Sequence, residues 1–298
     1  MIELRMGRTA EHFGPALFMV ALMLIGCGRR PAEPVVESPA PAQEKLDPDS
    51  AAAEPPPDYL AEGKAYLQSG DHDKALAYFT KAIGAAPKDA PRYVYRAGAY
   101  MQKGQVAQAL TDLNEAIRLN PKDPEAYAQR GYAFATVGLL KQAVPDFTEA
   151  LRLSPEGPTA VHALINRGFA YESFGQIDKA LADYNEARRL DPKSALALEH
   201  RAGIFAQQDK LTEALADFNE AVALQPGVAE IRLNRGIIYE KMSRLDKAIE
   251  DFNEAIRLSP NYPEAYVDRA RAYKTKGLVA EAEADLAKAR ELRKAPRP

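Results

Sequence analysis

The sequence predicts an all-α solenoid of stacked helix pairs, and three observations predict it. A block of residues recurs with a period of 34, small and aromatic side chains inside each block keep helical spacings of three and four, and a proline closes each of the first six blocks. Thus Ala-Leu-Thr-Asp-Leu-Asn-Glu-Ala-Ile-Arg-Leu-Asn-Pro (109–121) and Ala-Ile-Glu-Asp-Phe-Asn-Glu-Ala-Ile-Arg-Leu-Ser-Pro (248–260) are copies of one unit. Length alone, 298 residues, would suggest about two domains. A fixed period of this size replaces that expectation with one repetitive body.

Composition removes several function classes. The chain is 46% hydrophobic and 27% charged, with net charge -3, so it lacks the broad basic footprint of a nucleic-acid binder. Its single cysteine, Cys27, excludes an intramolecular disulfide and any zinc site that needs two thiolates.

The N-terminus reads differently from the rest. Residues 15–25 form an uncharged run of 11 preceded by Arg5 and Arg8. This is short of the roughly 20 apolar residues of a membrane span and suits a signal-peptide core. Leu24-Ile25-Gly26-Cys27 resembles the lipobox of bacterial lipoproteins. That resemblance implies removal of residues 1–26 and lipidation of Cys27, with a palmitate-type acyl anchor in a bacterial membrane. Two or three acyl chains hold a protein where one does not, since each buried methylene contributes about 0.8 kcal/mol. Gly28, after the cysteine, points by the enterobacterial sorting rule to the outer membrane, facing the periplasm or the cell surface.

Residues 27–55 read as a disordered proline-rich tether. Eight prolines fall in 28–57 (31, 34, 39, 41, 48, 55, 56 and 57) with almost no large apolar side chain, too little to offset ordering entropy. In polyproline II at about 3.1 Å per residue, such a tether reaches up to roughly 90 Å. The net -3 belongs to it, because residues 58–298 balance 34 basic against 34 acidic side chains.

The repeats then follow in order. A small residue precedes an aromatic by three at Gly63/Tyr66, Ala97/Tyr100, Gly131/Phe134, Gly168/Tyr171, Ala202/Phe205, Gly236/Tyr239 and Ala270/Tyr273. Downstream, an alanine, a bulky residue and a second alanine recur from Ala75/Phe79/Ala82 to Ala282/Leu286/Ala289. Both spacings place the residues on one helical face. The small residues permit close helix approach, and the prolines at 87, 121, 155, 192, 226 and 260 stop continuation. Turns are expected near Gly70, Gly104, Gly138, Gly175, Asp209, Ser243 and Gly277.

This pattern resembles the tetratricopeptide repeat over residues 56–296, in seven units: 56–89, 90–123, 124–157, 161–194, 195–228, 229–262 and 263–296. The usual tryptophan is replaced by Tyr59, Tyr93, Tyr127, Leu164, Leu198, Arg232 and Tyr266. The resemblance implies a right-handed α-α superhelix whose first helices line a concave groove. A three-residue insertion at 158–160 is expected to lengthen a loop and serve as a hinge.

Units two to seven each carry an arginine on the first helix (96, 130, 167, 201, 235, 269) and an aspartate on the second (112, 146, 183, 217, 251, 285). We expect an Arg–Asp ladder, within or between units, that sets register more than stability, as exposed pairs do.

No chemistry-bearing motif is present: neither a Walker loop, a nucleotide-binding glycine fingerprint, a nucleophile elbow nor a zincin helix. His162 and His200 lie one unit apart and read as solvated surface. The chain is expected to be no enzyme, to need no cofactor and to bind no nucleic acid.

In the family, groove-facing positions are the second, fifth, sixth, ninth, twelfth and thirteenth of a unit. They correspond here to Tyr95, Tyr132, Asn166, Phe169, Glu172, Glu199, His200, Asn234, Glu240 and Asp268, with Ile237 and Lys241 among the remainder. The family's best-known site is a clamp of lysines and asparagines on a terminal carboxylate. Asn166 and Asn234 occupy a clamp asparagine position, but the neighbours are Ala128, Tyr132 and Leu196 in one case and Glu199, Gly203, Glu264 and Asp268 in the other. Without the cations, the expected ligand is an extended or helical segment with some basic character. The functional expectation is a lipid-anchored scaffold or adaptor in the bacterial envelope that binds a protein or peptide in its groove. The alternatives are a pilotin-like assembly factor for a pilus or secretion system, or a regulatory subunit of an envelope enzyme.

Overall fold

The computed structural model describes residues 58–294. The expected signal peptide, Cys27 and tether lie outside the described residues. Within them the chain forms 14 helices and no strand. These are α1 (Tyr59–Gln68), α2 (His72–Ala85), α3 (Ala90–Gln102), α4 (Val106–Leu119), α5 (Pro124–Thr136), α6 (Leu140–Leu153) and α7 (Pro158–Ser173). Then come α8 (Ile177–Leu190), α9 (Ala195–Gln207), α10 (Leu211–Leu224), α11 (Ala229–Lys241), α12 (Leu245–Leu258), α13 (Pro263–Thr275) and α14 (Val279–Lys294). They fall into two compact units, one with α1–α4 and one from Lys122 onward with α5–α14.

Helix starts follow local chemistry. Asp58 accepts from the Leu60 and Ala61 amides at 3.1 Å, Asp71 from Lys74 at 3.1 Å and Asp123 from Glu125 at 3.0 Å, satisfying otherwise orphaned donors. Prolines occupy the first turn of α3, α5, α7 and α13, where the missing N–H costs nothing.

The turn within each helix pair has one construction. The residue after the turn donates its amide to the aromatic carbonyl five residues back: Asp71 to Tyr66, Gln105 to Tyr100, Leu139 to Phe134, Gln176 to Tyr171, Lys210 to Phe205, Arg244 to Tyr239 and Leu278 to Tyr273. This is the Schellman closure, and it needs a left-handed residue at C′. Five of the seven supply glycine; Asp209 (φ 60°) and Ser243 (φ 58°) adopt the same conformation with a side chain. All seven expected turn residues are therefore at positive φ.

Inside four of the seven pairs, a glycine of the first helix meets an aromatic ring of the second. A β-carbon would sit 2.6 Å from the Phe79 ring at Gly63, 2.8 Å from Phe147 at Gly131, 2.7 Å from Tyr184 at Gly168 and 2.6 Å from Phe252 at Gly236. These rings are fully buried. The core continues from pair to pair, because Ile204 packs into the cluster around Tyr184 and Ile231 and Ile238 into that around Phe218. Within α5–α14 each repeat thus buries the open face of its neighbour, the reason such arrays need several copies.

The insertion at 158–160 corrects the expectation. It lengthens no loop: α7 begins at Pro158 and runs 16 residues against 13 for α5. Gly157 at φ 88° reverses the chain, Pro158 has the φ of a first helical residue, and Ala160 and Val161 are buried. A packed helical turn of this kind is no hinge.

Candidate functional site

The first helices α5, α7, α9, α11 and α13 carry a polar residue at the sixth position of every repeat: Gln129, Asn166, His200, Asn234 and Asp268. All are buried or half-buried. Among the described residues, four buried side-chain atoms lack a hydrogen-bond partner, and three of them belong to this row: Gln129 Oε1, His200 Nδ1 and Asn234 Oδ1. Buried polar groups are nearly always satisfied, so such a concentration calls for explanation. Gln129 was absent from the residues picked out in the sequence; only its sixth-position register marks it.

The neighbours of this row differ along the array. Gln129 Nε2 donates to Glu125 Oε1 at 2.9 Å, and Thr159 Oγ1 donates to the other oxygen at 2.8 Å. Asn166 Nδ2 donates to the His162 carbonyl at 2.8 Å. Tyr132 packs half-buried on the Phe147 core, and burial raises its phenol pKa.

His200 overturns the solvated-histidine expectation. Its ring stacks on Tyr184 with centroids 5.1 Å apart and meets the edge of Phe169 at 6.1 Å. Glu172 lies 3.9 Å from Nδ1 and accepts from the Tyr184 hydroxyl at 3.1 Å. Enclosure by aromatic rings disfavours the imidazolium and lowers the His200 pKa to about 4. The same burial raises Glu172. His162 is half-buried, and desolvation lowers its pKa.

Further on, the face becomes acidic. Burial pushes the Glu199 carboxyl up to about 8, and the charge of Glu230 adds to the shift. Glu240 binds the Arg271 guanidinium in a fork of 2.8 and 2.7 Å, and Asp268 takes its other side at 2.9 Å. Lys241 Nζ donates to the Ala206 carbonyl at 3.4 Å. Ile237, expected on this face, is instead buried in the core with Phe252. In the separate α1–α4 unit, Tyr95 stacks on Phe79 at 5.9 Å, with Lys64 Nζ 4.1 Å above its ring.

The arginine ladder forms in all six expected repeats. Each arginine contacts its aspartate through Nε and Nη2 at 2.6–2.9 Å. These pairs are not exposed, as the aspartates are buried. These six arginines therefore belong to the frame, and the row of sixth-position groups is what the face adds to it.

Models of the tetratricopeptide repeat match residues 59–89, 97–138, 124–156, 166–229, 229–262 and 263–296. The chain is a tetratricopeptide repeat array. No curated protein sequence matches it. Among solved structures it is similar to a chain of the APC/C hetero-tetramer Cut9–Hcn1 (20% identity, 78% of this chain and 46% of that one, TM-score 0.67). It is also similar to PilW, a type IV pilus biogenesis factor (20%, 70% and 94%, TM-score 0.63), and to Pseudomonas aeruginosa PilF (19%, 68% and 89%, TM-score 0.59). The array spans just under half the length of the Cut9–Hcn1 chain. At these identities the likeness is one of fold. A tetratricopeptide fold implies protein or peptide partners. Among the described residues, no group of three histidines, cysteines or carboxylates could hold a metal ion, and no helix is long and apolar enough to cross a membrane.

Proposed function

We propose that this tetratricopeptide array is an interaction scaffold of the bacterial envelope, anchored through lipid on Cys27 and binding a polypeptide segment along the first helices of α5–α14. The observation that carries the binding half is the row of unpartnered buried atoms at Gln129, His200 and Asn234. A bound segment's amides and side chains would supply the hydrogen bonds that these groups lack, whereas an empty structural face would leave them at a cost of about 1–3 kcal/mol each. The anchoring half rests on Leu24-Ile25-Gly26-Cys27 and the proline-rich stretch after it.

Two experiments test the halves separately. A Cys27→Ala variant should lose the acyl group and the cleavage before residue 27; a variant that stays membrane-bound with the same processed N-terminus as the parent chain contradicts anchoring. Affinity capture from membranes should lose one specific protein when Tyr132→Ala and Phe169→Ala are combined. An unchanged set of captured proteins moves binding away from this face. Capture of a secretin ring would turn the scaffold into an assembly factor for a pilus or secretion pore.

A further inference from the structure

We propose that Glu199, Glu230 and Asn234 form a subsite for one positively charged side chain, lysine or arginine, of the bound segment. The inference rests on the reading of this face as a peptide site and assigns part of its chemistry.

Glu199 lies on α9 and Glu230 on the next first helix, α11, and the two carboxyl groups interact. Asn234 follows Glu230 by four residues, which places it on the same face one turn along. Asn234 is 2% exposed, and its Oδ1 has no donor. With Glu199 ionised, the patch presents two carboxylates and an amide oxygen, all acceptors. An ammonium offers three donors and a guanidinium five, with no acceptor. A neutral ligand leaves the repulsion between the two carboxylates uncompensated, and an anion adds to it, so both match the ionised set poorly.

The cations already on this face are engaged elsewhere. Arg271 is held by Glu240 and Asp268, and Lys241 by the Ala206 carbonyl. Other charged groups on helices packed against α9 are also paired: Asp183 of α8 with Arg167 of α7, and Asp217 of α10 with α9's own Arg201. His200, adjacent on α9, is held neutral by burial, as is His162 of α7 to a lesser degree. Glu172 of α7 is occupied by the Tyr184 hydroxyl. No lysine or arginine among the described residues forms a salt bridge with Glu199, and burial, with the charge of Glu230 beside it, keeps its carboxyl protonated up to about pH 8.

Entry of a cation reverses that balance. The carboxyl O–H of Glu199 ionises, the proton passes to solvent, and the carboxylate pairs with the incoming charge. Near neutral pH, binding should release up to one proton and tighten by as much as roughly tenfold per pH unit until about pH 8.

The test titrates the full chain, carrying 13C-labelled glutamate carboxyl groups, with the N-acetyl methylamides of lysine, arginine and norleucine. The Glu199 signal is assigned through Glu199→Gln. The expected result is a saturable shift with lysine or arginine, a fall of about one unit or more in the Glu199 titration midpoint, and no effect of norleucine. Asn234→Leu should weaken binding several-fold while the thermal melt stays cooperative. The relative strength of the two cationic probes identifies the side chain. Equal effects of lysine, arginine and norleucine, or an unaltered lysine response of the other glutamates in Glu199→Gln, would overturn the subsite. A peptide array run in parallel separates the two claims. Peptides that bind regardless of Lys→Gln exchange and of Glu199→Gln sink the subsite and leave the scaffold standing. Binding of the lysine probe without any peptide does the reverse.

Discussion

Arg201 and Asp217 stand 16 residues apart, on the first and second helices of one repeat, and meet through a two-pronged contact of 2.7 and 2.6 Å. The third arm of the same guanidinium donates to Asn185 Oδ1 of the preceding repeat at 2.7 Å, also 16 residues away. Arg235 reaches Asn219 at 3.1 Å and Arg269 reaches Asn253 at 2.6 Å in the same way. One planar fork thereby ties three helices, and the period of the sequence becomes the register of the stack.

Removing the aspartate of one pair should cost more than breaking an exposed ion pair would. Asp251 is 3% exposed and accepts both Arg235 contacts, so Asp251→Ala leaves a guanidinium without its fork. We expect a loss of about 2 kcal/mol in urea unfolding. Arg235→Lys, which keeps the charge but not the planar geometry, should lose about half as much. A loss within experimental error for both would place the ladder among decorative surface pairs.

The glycine–ring contacts predict coupling between two sites. Gly236→Ala gains about 1 kcal/mol of helix propensity but drives a methyl into Phe252, 2.6 Å away, an overpacking cost of about 1–3 kcal/mol. The single substitution should therefore destabilise. Ala97/Leu113 and Ala270/Leu286 occupy the same two positions in other repeats, so Gly236→Ala with Phe252→Leu should lose less than the sum of the singles. A double-mutant cycle measures the difference, expected at about 1 kcal/mol; strict additivity would contradict the contact.

Ser243 holds a left-handed conformation at φ 58° where five sister turns carry glycine. Left-handed backbone costs a side-chain-bearing residue about 1–2 kcal/mol, less for aspartate. Ser243→Gly should raise stability by about 1 kcal/mol in denaturant titration, and Asp209→Gly by less. A destabilising Ser243→Gly would show that the serine side chain contributes something the backbone argument omits.

Two buried groups give opposite pH trends. His200 is neutral in the folded state down to about pH 4, while the unfolded chain protonates near 6.5. Stability contributed by the neutral ring is therefore lost as pH falls from about 6.5 toward 4. Glu199 keeps its proton to about pH 8, so its contribution is present at low pH and lost as pH rises from about 4.5 to 8. Thermal melts of His200→Phe should gain on the parent chain below about pH 6, and those of Glu199→Gln should gain above about pH 6. Parallel curves for parent and variants would remove both groups from the pH dependence.

The frame was legible because each of its determinants is local or periodic. Gly63, Phe79, Gly104 and Pro121 carry their meaning at fixed offsets, and the Arg–Asp pairs follow from one spacing repeated six times. The third arm of the ladder was not, since asparagine and threonine at that position look like ordinary surface polarity until the stack brings them to Arg201 or Arg167. Pro158 misled for a similar reason. Proline after glycine suggests a loop, but burial of Ala160 and Val161 makes helix the better use of three extra residues. The face itself was half legible: its positions follow from register, but whether His200 meets water or Tyr184 depends on the neighbouring repeat.

The most direct test of the account is photo-cross-linking in intact cells, with a photoreactive residue at Phe169 on the first-helix face or at Arg189 on the exposed side of α8. The account predicts a discrete cross-linked polypeptide from position 169, lost when Tyr132→Ala is added, and none from position 189. Cross-linking from 189 alone, or equally from both positions, would contradict a binding site on the first helices.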